Sequence, residues 1–272
     1  MKYILIKIII VMSLIYSQTE DSKPVSFELT IGSGTVSSAV PEFKGQFAVR
    51  DASGSQSTYL FTADVAGKDS HTPFNLGLNV DMTELAGMDL GSLDLATSLQ
   101  FGYSFLDGGA GILNAQVVPN VGYAVNDWLR LGLGFGIGYL EYQIDFDIPR
   151  DGPGDIYMTF DETNIYFDED GMAEATLKKS GLVTAPELSL QIGTESTIGF
   201  QIRYQALAHS VALSDPWKMT FRETDEDANT SEGKEEVTID YEGQYVSELG
   251  EPFPELDLSG GLIALELIYR FK

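Results

Sequence analysis

Charged side chains stand one at a time on the polar faces of otherwise apolar, alternating segments. Glu28, Asp94, Arg130, Glu187, Arg203, Glu266 and Arg270 are placed this way, and Gln191, Gln201 and Gln205 share such faces. A charge withdrawn from water without a partner costs on the order of several kcal/mol, so acids and guanidinium groups in this setting pair with one another. The chemistry they suit is ion pairing across an interior, either as a plug or as the lining of a narrow polar passage. Pairing Ile192 with Ile198 across the Gly193–Thr197 connection would place Glu187 opposite Arg203. Joining the first segment to the last would bring Glu28 to Arg270. Gly132, Gly134, Gly136 and Gly138 share a face with Arg130 and leave room for water, for neighbouring side chains or for a ligand.

Other chemistry has weaker support. Asp225, Asp227, Asn229 and Glu236 fall on the ligand spacing of an EF-hand calcium loop. Thr230 stands where that loop needs glycine, Glu232 stands where it needs an apolar residue, and strand-like pieces replace the flanking helices. A solvated acidic loop tip is the plain reading, and a divalent cation shared with another acidic surface is the sharper one. His71 and His209 are the two histidines. Asp215 is near His209 in sequence, but no Asp-x-His or comparable motif surrounds it, so no enzymatic activity is expected. With no Cys there is no disulfide framework, thiolate metal site or lipid-acylation site, and no cofactor is implied.

The elements that must position these groups are strands. Alternation of period two recurs near Ser26–Val36, Phe43–Val49, Ser57–Val65, Phe74–Asp81 and Leu93–Phe105. It recurs again at Val117–Val125, Leu129–Tyr139, Leu188–Ile192, Ile198–Tyr204 and Gly261–Phe271. The expected fold is all-β and antiparallel, with about ten strands; eight and twelve are also compatible with the pattern. Pro119 and Pro186 interrupt otherwise regular strands and mark weak points in pairing. The formal charge of −25 excludes nucleic acid as a partner. Much of the acid lies in long connections near 147–180 and 212–255, which alternate with tight ones at Asn126–Asp127 and Gly193–Thr197. A soluble sandwich would carry charge on its outward faces. Here the non-apolar faces are mostly Gly, Ser, Asn and Gln.

The last segment places Ile263, Leu265, Leu267, Tyr269 and Phe271 on one face and Glu266 and Arg270 on the other. With its aromatic pair Tyr269 and Phe271 at the chain end, it resembles the final strand of bacterial outer-membrane β-barrel proteins, of the small OmpA/OmpW-like kind. In that family a terminal aromatic-x-aromatic pair is read by the barrel-assembly machinery, and Lys272 after the aromatic is a departure. Residues 1–17 fit a cleaved secretory signal: Lys2 and Lys7 precede the apolar run Ile8–Ile15, and Ser17 is small. That run is too short for the ~20 residues of a spanning helix. Cleavage would take the formal charge from −25 to −27, because Lys2 and Lys7 leave with the signal.

The resemblance implies export by the Sec route and one antiparallel up-and-down transmembrane barrel over 18–272, in the outer membrane of a Gram-negative-type bacterium. The partners it implies are membrane lipid, the assembly machinery, small solutes and divalent cations. Three roles follow as expectations: a narrow, cation-biased passive pore, a non-conducting surface barrel displaying acidic loops, or a small conduit for hydrophobic molecules. The last would need a lateral opening in the wall.

Overall fold

A period of two puts all the apolar side chains of an extended segment on one face, and such segments become strands here. The computed structural model describes residues 26–50, 58–150, 152, 154, 156–160, 163–209, 218–222, 236–240, 246–247 and 256–271. Its strands are β1 (Phe27–Ser37), β2 (Phe43–Arg50), β3 (Thr58–Val65), β4 (Phe74–Asp81), β5 (Leu93–Phe105), β6 (Ala110–Asn126), β7 (Leu129–Pro149) and β8 (Tyr157–Phe160). They continue with β9 (Thr163–Tyr166), β10 (Met172–Ile192), β11 (Ile198–His209), β12 (Lys218–Arg222), β13 (Glu236–Asp240), β14 (Val246–Ser247) and β15 (Gly260–Phe271).

Eight of these form a closed antiparallel ring in the order β1, β4, β5, β6, β7, β10, β11, β15, and back to β1. The β1–β15 seam runs from Phe27↔Phe271 to Ser37↔Gly261. The expected count of about ten is therefore corrected to eight. The two extra segments, β2 and β3, pair with each other and with β14 instead of joining the wall. Their apolar residues have another use: Phe43 and Val65 are buried in the core that fills one end of the barrel, with Phe43 stacked on Tyr142 at 5.8 Å.

That end, called upper here, carries the long connections, and the lower end carries both termini of the barrel and the tight turns. Gly193 opens the turn between β10 and β11 with φ of 80°, a conformation that favours glycine. The turn leaves the register two residues away from the expected one, so Glu187 faces Gln205 and Ser189 faces Arg203. Hydrophobic alternation cannot detect such a slip, because a shift of two preserves both faces. Not every upper connection is long, since only four residues separate β5 from β6.

The acidic connection expected near 147–180 contains much strand: β7 runs on to Pro149, β10 begins at Met172, and β8 and β9 pair with each other between them. In β7 the outward apolar residues are odd-numbered from Leu129 to Tyr139. Beyond that the phase inverts, so that Leu140, Tyr142, Ile144, Phe146 and Ile148 point inward and Glu141, Gln143, Asp145 and Asp147 point outward. β10 makes the same change, with Ala173, Ala175 and Leu177 inside and Leu182, Leu188 and Ile192 outside. Pro119 and Pro186 do interrupt pairing. The β6–β7 ladder lacks its rungs between Val117↔Ile137 and Asn120↔Gly134, and the β10–β11 ladder lacks them between Thr184↔Ala208 and Glu187↔Gln205. The two gaps flank Phe135, which lies opposite Pro186 in β7.

Candidate functional site

The outer wall is apolar where a water-soluble barrel would be charged. Leu133, Leu188, Ile263 and Leu265 are each more than half exposed, with Leu133 at 64%. Trp128, Tyr123, Tyr269 and Phe271 edge the lower end of this belt, while Phe74, Phe105, Tyr139 and Tyr204 edge the upper end. Tyr269 and Phe271 meet edge to face at 4.9 Å. In β7 the belt spans Leu129–Tyr139, close to the ~9–11 residues with which a tilted strand crosses a bilayer.

Inside, the charges picked out in the sequence gather in two layers. The lower layer closes the periphery of a cavity of about 70 Å³. Arg130 grips Asp94 with two N–H groups, Nε to Oδ2 at 2.8 Å and Nη2 to Oδ1. Arg270 donates from Nε to Glu28 at 2.7 Å and from Nη1 to the carbonyls of Gly193 and Ser196, so it ties the seam to the β10–β11 turn. The expected Glu28–Arg270 pair is thus present, with the two residues directly opposite in the ladder.

The second layer is a buried plug centred on Arg203. Its Nε and Nη2 bond to Glu266, and its Nη1 bonds to Gln100 Oε1. Glu187, the partner expected from sequence, forms a longer ion pair with Arg203 Nη1 at 3.9 Å and is held more closely by Gln100 and Gln205, which donate to its Oε2 at 2.8 and 2.7 Å. Gln191 donates to Gln201, and Gln201 to Glu266, so the expected polar residues form one network. Arg203, Gln205 and Glu266 are buried. In the sequence Gln100 is only one polar residue among several on its strand. Its bridging role is hidden there because its partners Glu187, Arg203 and Gln205 come from β10 and β11.

Above the plug the lumen is apolar and tightly packed around Tyr142, Ile144, Leu177, Leu207, Leu258 and Leu262. A separate cavity of about 20 Å³ lies there beside His71, Asn75 and Ser104. The glycines of β7 serve close approach, not ligand space. A Cβ on Gly132 would strike Ser189, one on Gly136 would strike Gln116, and one on Gly138 would strike the backbone of Ala115.

His71 sits in the connection before β4, with Nδ1 2.6 Å from Ser104 Oγ. Burial away from water lowers its pKa to about 4. The unfolded chain then binds the proton more readily than the folded one. Stability present above pH 6.5 is therefore lost as pH falls, and the loss is complete near pH 4. The loss should be about 3 kcal/mol. Denaturant unfolding between pH 7 and 4 should show this slope, and His71→Gln should flatten it; an unchanged slope in the variant would refute the assignment.

His209 is buried at the upper end of β11, where its backbone N–H donates to Ser259. Asp215, Asp225, Asp227, Asn229 and residues 1–17 lie outside the described residues, and Glu236 begins β13.

No family model matches the chain, and no curated protein matches it in sequence. Among solved structures it is similar to a major outer membrane protein from Thermus thermophilus. The two are 9% identical with a TM-score of 0.43, over 92% of this chain and 100% of that one. It is also similar to the outer membrane protein OprG from Pseudomonas aeruginosa, at 14% identity and a TM-score of 0.36, over 92% of this chain and 97% of that one. The outer membrane protease OmpT from Escherichia coli aligns at 11% identity and a TM-score of 0.25, over 93% of this chain and 100% of that one. The barrel's own geometry carries the assignment. A closed eight-stranded antiparallel ring with an apolar, aromatic-edged outer wall and a polar ion-paired interior is a membrane-spanning β-barrel of the outer-membrane type.

Proposed function

We propose that this chain is an integral outer-membrane protein of a Gram-negative-type bacterium. In this reading it works as a closed, non-conducting surface barrel, neither a passive solute pore nor an enzyme, and displays its long acidic connections outside. The observation that carries this is the double seal of the lumen, in which the Arg203 plug lies beneath a close-packed apolar upper half. Eight strands enclose little more than their own side chains, so such a seal leaves no spare bore.

Refolded protein in planar bilayers should give no unitary current steps at neutral pH. Sustained cation-selective steps would overturn the reading and restore the passive pore. One observation favours a second reading, a conduit for hydrophobic molecules: the ladder gaps at Pro119 and Pro186 weaken the wall near the height where the lumen turns apolar. Vesicles carrying the protein separate the two. Accelerated entry of an apolar fluorescent probe without ionic current, lost in Pro119→Ala/Pro186→Ala, would favour the conduit.

A further inference from the structure

Glu187 has only a long, shared ion pair, with Arg203 at 3.9 Å. Arg203 is the guanidinium shared by two buried carboxylates, and it is committed to Glu266, to which its Nε and Nη2 both donate. Glu187 stays 3.9 Å from Nη1. Two negative charges thus share one positive charge, and one is left in excess in a medium where an uncompensated ion costs several times what it would at the surface. The amide donors Gln100 and Gln205 both go to Oε2 of Glu187. Oε1 accepts no hydrogen bond among the described residues, and Glu187 lines the lower cavity.

That cavity suits a small cation. At about 70 Å³ it holds several times the space one water needs. Two other carboxylates of its lining are already matched, Glu28 to Arg270 and Asp94 to Arg130. Ser98, Ser189 and Gln191 add neutral polar side chains to the lining, beside Asn120, whose Oδ1 accepts from Arg130. We infer that the lower cavity binds a monovalent inorganic cation, sodium or potassium, with Glu187 as its anionic ligand and neutral side-chain oxygens and water completing the shell. A tightly held divalent ion would call for more anionic oxygens than this one partly paired carboxylate supplies.

The test reads stability, so it is independent of whether the barrel conducts. Thermal unfolding of the folded protein in uncharged detergent is compared in sodium, potassium and choline chloride at equal ionic strength. The midpoint should be higher in an alkali salt than in choline by about 5 °C, because a ligand of the folded state alone raises its stability. Glu187→Gln should bring the midpoints together, while Asp145→Asn, on the upper outer face, should keep the difference. Crystals of the unaltered protein grown in rubidium chloride should show an anomalous peak in the cavity beside Glu187, which keeps the inference testable if the variant does not fold. Equal midpoints in all three salts, a difference retained in Glu187→Gln, or no rubidium peak would each overturn it.

Discussion

Replacing Arg203 by methionine should remove about 3–5 kcal/mol of folding stability, the cost of leaving buried charge without its partner. Methionine fills much of the arginine stem's volume, so the loss isolates the guanidinium. Glu187 and Glu266, 4% and 3% exposed, would then face one another across an enclosed lumen with only amide donors for company. The double variant Arg203→Met/Glu266→Gln should recover a large part of the loss, because it removes one of the two stranded charges. Urea unfolding in lipid vesicles, followed by tryptophan fluorescence, measures both. A single-variant loss below about 1 kcal/mol would mean that the plug is hydrated, and the sealed-lumen reading would fall with it.

The second large effect lies at the seam. Gly32 of β1 faces Glu266 of β15, and a Cβ placed on it would lie 2.7 Å from the Glu266 Cα and closer still to the Leu265 carbonyl oxygen. These are backbone atoms, which cannot swing aside as a flexible side chain can. Gly32→Ala should therefore push β1 away from β15 and cost about 3 kcal/mol, the upper end of the range for overpacking. Because this ladder closes the ring, a large fraction of the protein should remain open. Unheated samples would then migrate in a denaturing gel as the unfolded species. Thr35→Ala, on the exposed face of the same strand, should change stability by no more than about 0.5 kcal/mol. Equal behaviour of the two variants would refute the seam argument.

Much of this is legible in the residue pattern. Class and wall follow from alternation, because one face of each spanning strand must suit lipid over about ten residues. The Glu28–Arg270 contact follows from closure alone, since the two residues lie near the ends of the segments that must meet. Glu187 and Arg203 are correctly expected in the interior, and they do form an ion pair, a long one at 3.9 Å; what is wrongly expected is that they stand directly opposite each other. Their register depends on how the Gly193 turn is wound, and a two-residue slip changes no face.

Three things are decided only in three dimensions. The strand number is one: β2 and β3 have the alternation of wall strands, but they pair with each other, and Phe43 and Val65 find burial over the barrel mouth instead of in lipid. The upper interior is another. The inverted phase from Leu140 to Ile148 is present in the sequence, yet alternation alone does not say whether a face meets acyl chains or other side chains. The state of the lumen is the third. Whether polar residues line a passage or fill it depends on distances between strands far apart in the chain, such as Gln100 against Glu187 and Arg203. Sequence determined which residues share a face, because side chains alternate with a fixed period. Tertiary structure decided which of them meet, because that depends on register and ring size, which local pattern does not encode.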